Sequence, residues 1–343
     1  MRTGRRLVVT LTAAVSAATT LAFASSAIAS PLRELAASTV AFSSDGVRFV
    51  AWQTKGDEQI VVLDTLTDDK RQITPPVGCR LQNEAETGEP GITAAAGRFL
   101  LTCAEGGAQA LLDVRTGTSI VLPVSATWFV VGTRYVQGVE NSACSSRLNC
   151  QTLYDLATGA VSFRPESQAV DLDRPGASTN TICPAVRRLV VHNPWKLWNK
   201  GYAFQGNLFA QRSGTHGNVQ IDHCQGRPTI LNARGGPVFG QGEPLHFDLR
   251  GGLLSWDTGS EAGQYIPEEP KFRGSLYTYE LTTHGRRRWL LPRLTVNEAG
   301  ESVRGTFGYS THTSSMVFWI AARSVGGHPV VSVESSTVYA GRV

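Results

Sequence analysis

The sequence predicts an all-β protein built from a repeated four-stranded unit, and three observations support this prediction. The stretch "AFSSDGVRFVAWQT" (residues 41–54) places the polar turn "SSDG" between two short runs rich in β-branched and aromatic residues. A third apolar run, "QIVVLD", and a proline-terminated segment, "KRQITPP", complete four short strands in about 40 residues. The same order recurs along the chain, whereas no segment shows a sustained 3.6-residue apolar stripe.

A carboxylate at the predicted end of the third strand marks each copy. The marker carboxylates are Asp64, Asp113, Asp155, Asp222, Glu280 and Glu334. Their irregular spacing is typical of repeats with variable insertions and fits two packed domains poorly. We expect each marker to accept backbone N–H bonds that fix the following turn. A ring of acids around a cation is the alternative interpretation.

Six such copies predict a β-propeller, in which four-stranded blades surround a central channel and bury their faces against one another. Five or seven blades are the alternatives. No N-terminal strand is evidently spare to complete the last blade, so we expect closure by apolar contact between "STVAF" (38–42) and "TVYAG" (337–341). The one short helix candidate is "LRELAAS" (32–38). Three arginines on a predicted outer strand (286–288) are expected to prevent edge-to-edge pairing.

The first 29 residues have the layout of a secretory signal peptide. A basic start is followed by an apolar stretch (7–24) and by the small-x-small cleavage site Ala27-Ile28-Ala29. A membrane anchor is the alternative, but the apolar stretch is diluted by Thr and Ser. We therefore predict that residues 1–29 are removed and that residues 30–343 form a single β-propeller domain without a membrane span. The bias towards Arg and Ala is typical of a high-GC bacterial genome.

All six cysteines lie in the predicted mature chain: Cys79, Cys103, Cys144, Cys150, Cys183 and Cys224. An even count in an exported protein predicts three disulfides. Six cysteines allow 15 pairings, of which sequential pairing (79–103, 144–150 and 183–224) keeps every bridge local. A metal site at Cys144 and Cys150 is the alternative, which the lack of Cys/His zinc spacing disfavours.

The stretch "SSDGVRFVAW…QIVVLDTLT" resembles the WD-like β-propeller repeat of TolB type. In that repeat a Ser-x-Asp-Gly turn joins the first two strands, and an Asp ends the third. Asp45, Gly46 and Asp64 match this pattern, whereas the second copy keeps only Gly97 of the turn. The resemblance covers about 40 residues and implies a six-bladed disc. Such repeats host many functions, so the resemblance implies little about activity.

A long insertion (171–205) carries the candidate ligand-binding residues Trp195, Trp198, Asn199 and Tyr202. Aromatic faces beside amide and amine donors suit sugar rings or peptides. The alternative is that these aromatic residues cover the end of a blade and belong to the core.

Candidate catalytic groups are scattered along the chain: His192, His216, His246, Asp171, Asp173, Asp257, Glu261, Glu268 and Glu269. Convergence of three or more at one channel mouth would favour an enzyme, whereas scatter would favour a binding module. The sequence contains no nucleophile elbow, phosphate loop or dinucleotide fingerprint, and it predicts no metal and no cofactor.

The predicted mature chain is close to neutral, because three of the 32 basic residues leave with the signal peptide. A near-neutral chain gives no indication of a nucleic-acid partner. These observations together favour an exported, monomeric and non-enzymatic propeller that binds a protein or glycan of the cell envelope. The alternative is an extracellular propeller enzyme, a lyase or hydrolase acting on a polysaccharide or lactone.

Overall fold

The computed structural model describes residues 27–28, 32–83, 93–104, 107–140, 150–165, 172–173, 183–184, 202–213, 218–231, 244–258, 275–291, 306–323 and 336–343. The elements that these ranges describe in full are all β-strands, which form five sheets, and Pro184 is the one described residue with a helical assignment. The prediction of an all-β protein is confirmed. No helix within the described ranges is long and apolar enough to cross a membrane.

The first four-stranded unit shows how the sequence pattern becomes structure. Its strands are β2 (Arg33–Ser44), β3 (Phe49–Thr54), β4 (Ile60–Asp64) and β5 (Asp69–Ile73), and each pairs antiparallel with the next. The apolar runs form β3 and β4, which are buried along nearly their whole length, whereas β5 is charged and exposed. Strands buried on both faces require neighbouring sheets on both sides.

The other units follow in chain order. The second unit contains β6 (Cys79–Leu81), β7 (Ala94–Ala95), β8 (Arg98–Cys103), β9 (Gln109–Asp113) and β10 (Thr118–Val121). The third unit contains β11 (Ala126–Val131), β12 (Tyr135–Glu140), β13 (Cys150–Asp155) and β14 (Val161–Pro165), and the fourth contains β15 (Tyr202–Gln205), β16 (Leu208–Ser213), β17 (Asn218–Asp222) and β18 (Thr229–Leu231). The fifth unit contains β19 (Pro244–Arg250), β20 (Leu253–Thr258), β21 (Ser275–Glu280) and β22 (Arg286–Leu290), and the last contains β23 (Thr306–His312), β24 (Met316–Arg323) and β25 (Ser336–Arg342).

Among the described residues, apolar clusters join five of the six pairs of neighbouring units, as expected of a propeller. Separate clusters lie between the first and second units, the second and third, the fourth and fifth, the fifth and last, and the last and first. First strands also contact one another between the first and second units, the second and third, the fourth and fifth, and the fifth and last, which places these strands on the inside of the arrangement. The structure therefore has a propeller arrangement of sheets with the polar ends of the inner strands brought together.

The N-terminal strand closes this arrangement. The first half of β2 pairs antiparallel with β25 of the last unit, from Arg33 opposite Ala340 to Thr39 opposite Ser336, and its second half pairs with β3. One strand thus belongs to two units and joins both ends of the chain into a seven-stranded sheet. The predictions of a helix over 32–38 and of closure by apolar contact alone were wrong, because backbone pairing with β25 overrides the local sequence preference.

Five of the six marker carboxylates end third strands, at the last residues of β4, β9, β13, β17 and β21. The sixth, Glu334, lies outside the described residues, and the third strand of the last unit is β25, which begins at Ser336. The prediction that the third strand of the last unit ends at Glu334 therefore places this strand too early in the chain. The fourth strand of the last unit is the first half of β2.

Two of the predicted sequential disulfides are present among the described residues, Cys79–Cys103 and Cys183–Cys224. The first joins β6 to β8 at directly opposite positions of the ladder. Cys144 lies outside the described residues, so the pairing 144–150 stays a prediction.

The arginine-rich segment 286–288 lies in β22, an outer strand of the fifth unit. In the complete chain the short strand β1 (Ala27–Ile28), from the predicted signal peptide, pairs in parallel with it. Three charged side chains therefore do not prevent this edge from accepting a second strand.

Candidate functional site

The polar turn "SSDG" (43–46) is held by one carboxylate. Asp45 Oδ1 accepts backbone N–H bonds from Val47, Arg48 and Phe49 at 2.8–3.0 Å. Its Oδ2 accepts the N–H of Gly97, in the equivalent turn of the second unit, at 2.9 Å. Asp45 therefore fixes its own turn and ties two units together, in keeping with the resemblance stated above.

At the inner ends of the strands, Arg250 links four units. Its guanidinium donates two hydrogen bonds to Asp248 at 2.7 Å each, within the fifth unit. Nη1 donates to the carbonyl of Ser44 in the first unit at 2.6 Å and to that of Ala94 in the second at 3.4 Å. Nη2 donates to Thr311 Oγ1 of the last unit at 3.0 Å. One side chain thus extends across the centre, where the inner strands meet.

Gly46 is required where it stands because of this arginine. Its φ of +75° lies in the left-handed region, and a Cβ at this position would collide with the Arg250 guanidinium. The "SSDG" turn and Arg250, 204 positions apart in sequence, therefore fit together as one packed element.

Asp248 is a buried carboxylate with a full set of donors. Burial opposes its ionisation, but the charge of Arg250 and the hydrogen bonds from Arg250 and Thr311 hold its pKa well below the usual range. The backbone N–H of His312 donates to it as well, at 3.2 Å. An ionised carboxylate buried with its counterion and donors is stable, whereas the same group without them is costly.

His312 has the opposite character. Its side chain is fully buried, and burial lowers its pKa to about 4, although Asp248 nearby favours the charged form. Neither ring nitrogen has a hydrogen-bond partner among the described residues. The imidazole is therefore neutral at ordinary pH, and its Nδ1 lies 3.9 Å from Asp248 Oδ2.

A second His–Asp contact lies close by in the fifth unit. His246 Nδ1 is 2.9 Å from Asp257 Oδ2, and both side chains are almost completely buried. Such a dyad resembles a general base with its orienting carboxylate. A reacting group must reach the imidazole, however, and the two side chains are 3% and 0% exposed.

Three marker carboxylates pair with arginines, which the sequence analysis did not anticipate. An arginine at the start of the second strand faces the marker of the same unit in Arg48–Asp64, Arg98–Asp113 and Arg134–Asp155, at 2.5, 3.7 and 2.9 Å. The hydrogen bond from Arg48 holds the pKa of Asp64 below its usual value. A recurring Arg-aromatic dipeptide, "VRF", "GRF" and "TRY", is the signal that could have revealed these pairs.

The same markers also accept backbone N–H bonds in the turns that follow. Asp64 accepts from Leu66, Asp113 from Arg115, and Asp155 from Ala157, at 2.8–3.1 Å. The turn-fixing role is therefore confirmed for these three. Among the described residues, no group of three or more His, Cys, Asp or Glu side chains is placed to hold a metal ion.

An open cleft of about 260 Å³ lies between the first and second units, with the Arg48–Asp64 pair in its lining. It is lined by Arg48, Phe49, Val62, Asp64, Asp69, Arg71 and Arg115. Arg48 and Arg115 have side chains that are nearly half exposed. The cleft is therefore charged and accessible, in contrast to the buried centre.

Most candidate residues from the sequence fall outside what the structure describes. This applies to Trp195, Trp198, Asn199, His192, His216, Asp171, Glu261, Glu268 and Glu269. Tyr202 begins β15, and its side chain is not described. Asp173 accepts the backbone N–H of Thr133 in the third unit, whereas His246 and Asp257 meet in the fifth. The described candidates thus bring two groups together, not three.

Comparison with known proteins finds matches among solved structures at low sequence identity and low TM-score. No protein-family model matches the chain, and no curated protein matches it. Among solved structures, a luciferin-regenerating enzyme is 7% identical; the match covers 90% of this chain and 94% of that chain, with a TM-score of 0.36. TolB from Acinetobacter baumannii is 11% identical; the match covers 88% of this chain and 65% of that chain, with a TM-score of 0.34. A streptogramin B lyase is 10% identical; the match covers 91% of this chain and 97% of that chain, with a TM-score of 0.33. The fold assignment itself depends on the strand pairing described above.

Proposed function

We propose that the chain is an exported, non-enzymatic β-propeller that binds a protein or glycan of the cell envelope through its exposed loops and turns. In this proposal residues 1–29 are removed, residues 30–343 form one disc of six blades, and disulfides stabilise it outside the cytoplasm. The pairing of the chain's own ionisable side chains supports this function.

One observation carries the proposal: buried ionisable side chains at the inner strands of the fifth unit are bonded to one another. Asp248 is paired with Arg250, and His246 with Asp257, and all four side chains are at most 14% exposed. Since Arg250 also donates to carbonyl groups of the first and second units, it occupies the centre at this end of the inner strands. Groups committed to structure in this way support a binding role on the outside.

The proposed ligand-binding residues of the long insertion, Trp195, Trp198, Asn199 and Tyr202, remain part of this proposal. Their test is retention of envelope components by the immobilised exported protein, compared with a Trp195→Ala/Trp198→Ala variant, using membrane extract and a glycan array. We expect one protein or glycan class to be retained, and retention to fall in the variant. Retention no greater than on an unrelated immobilised protein would refute the binding function.

The second candidate function is an extracellular lyase or hydrolase, and the His246–Asp257 contact is the observation that favours it. If the dyad is catalytic, the exported protein turns over a polysaccharide or lactone, and Asp257→Asn abolishes turnover while His246 remains in place. We expect no turnover with the native protein. Measured turnover that is lost in Asp257→Asn would replace the binding proposal with the enzymatic one.

A further inference from the structure

The cleft between the first and second units has the composition of an anion site. Three of its lining side chains are guanidinium groups and two are carboxylates, so the lining carries an excess of one positive charge. We propose that it receives an aspartate or glutamate side chain of a protein partner whose extended segment adds to the free edge of β5. This inference depends on the binding function proposed above and names the class of partner.

The donors available in the cleft support a carboxylate ligand. Arg48 uses Nε and Nη2 on Asp64, and Arg115 uses the same two nitrogens on Asp113, so Nη1 of each stays available. Arg71 is exposed, and its side chain makes no hydrogen bond or ion pair with the described residues, whereas its backbone lies in the β4–β5 ladder. Guanidinium groups bind carboxylates through paired N–H donors, so three of them around one cleft favour that ligand group.

The cleft is held rigid from below. Its floor is formed by Phe49 and Val62, which are 8% and 1% exposed and belong to the core between the first two units. The Arg48 guanidinium lies 5.1 Å from the centre of the Phe49 ring, and the stem of Arg115 packs over Gly97. Because Arg48 and Arg115 are already held by their carboxylate partners and by these contacts, they lose less side-chain entropy on binding a ligand than unpaired arginines would.

The neighbouring edge favours a peptide over a free anion. Asp69 and Arg71 both line the cleft and both lie on β5, the last strand of its sheet, whose outer edge has no strand partner in the described part of the chain. An extended peptide can hydrogen-bond to such an edge while its alternate side chains enter adjacent pockets. A glutamate opposite Arg71 would complete the charge pairing across the two strands.

The test is fluorescence anisotropy with a labelled peptide of alternating valine and glutamate. A matched peptide has glutamine in place of glutamate, and a soluble uronic-acid oligosaccharide serves as competitor. The variant is Arg71→Glu, which removes no existing bond. Arg227→Glu, an exposed arginine in the turn after β17, is its matched control. Unchanged far-ultraviolet circular dichroism shows that both variants fold.

We expect the glutamate peptide to bind the native protein and the Arg227→Glu control equally. Binding should weaken at least about tenfold with the glutamine peptide, with Arg71→Glu, and at high salt. No binding near about 1 mM peptide, or equal binding by Arg71→Glu, overturns the inference. Oligosaccharide binding that depends on Arg71, without peptide binding, also overturns it. If the immobilised native protein still retains envelope components in these cases, the proposed binding function stands without this peptide site. If it retains none, the binding function itself is refuted.

Discussion

Removing the Arg250 side chain is the perturbation whose cost follows most directly from the structure. Arg250→Ala leaves the Asp248 carboxylate 2% exposed, without the counterion that gives it two bonds of 2.7 Å. It also removes a donor from the carbonyl of Ser44 in the first unit. A buried charge that loses its partner costs about 3–5 kcal/mol, so we expect a loss of that size in the free energy of unfolding.

The assay is urea-induced unfolding of the exported protein, followed by tryptophan fluorescence, for Arg250→Ala, Asp248→Ala and the double variant. Because the double variant leaves no unpaired charge, it should be more stable than the sum of the single losses predicts, by a coupling energy of about 1–3 kcal/mol. Arg287→Ala, at the exposed residue of the outer strand β22, is the control and should change stability by less than about 0.5 kcal/mol. A loss below about 1 kcal/mol for Arg250→Ala, or strictly additive losses, would refute the reasoning.

Three further predictions follow from the same contacts. Gly46→Ala should destabilise the protein by about 1–3 kcal/mol through backbone strain and collision with Arg250, and the loss should be smaller in the Arg250→Ala background; an equal loss in both would contradict the collision. His312 has a native pKa of about 4, below the 6.5 expected in the unfolded chain, so its contribution to stability is complete above pH 6.5 and is lost as the pH falls towards 4. That difference corresponds to about 3 kcal/mol, and His312→Leu should flatten this part of the stability–pH curve, whereas an unchanged slope would count against it. Replacing Cys79 and Cys103 together by Ala should cost about 2–4 kcal/mol, measured as a lower urea midpoint, and an unchanged midpoint would show that the bridge contributes nothing.

The sequence was sufficient for the local part of this structure. The turn at Asp45 and Gly46, the strands around it and the third strands that end at marker carboxylates are local features, set by turn chemistry and by β-branched and aromatic runs. These features can be predicted from the sequence of a single repeat. The pairing of the cysteines at 79 and 103 was also predictable, because the bridge joins nearby strands.

The centre of the molecule could not be read in this way. Arg250, Ser44 and Thr311 come from three units and meet because the ring brings their strand ends together. No local pattern distinguishes a buried arginine from the other arginines of the chain. The arginine partners of the marker carboxylates do have a local sequence signal, since each directly precedes an aromatic residue at the start of a second strand.

The N-terminal strand was missed for a related reason. The segment 32–38 contains Leu, Glu and Ala, which favour a helix when isolated. Its partner, β25, lies about 300 residues away in sequence, and pairing with this strand fixes the extended backbone. The consequence is that the two ends of the chain are held by backbone hydrogen bonds as well as by side-chain packing.

Hydrogen–deuterium exchange over residues 33–44 of the exported protein, read against residues 336–342, tests most directly whether one strand joins the first and last units into a closed ring. In a ring closed by this strand, both segments are protected and lose protection together in mild urea. Exchange of the amides before Thr39 at the rate of an unstructured chain, with residues 336–342 still protected, would contradict this closure.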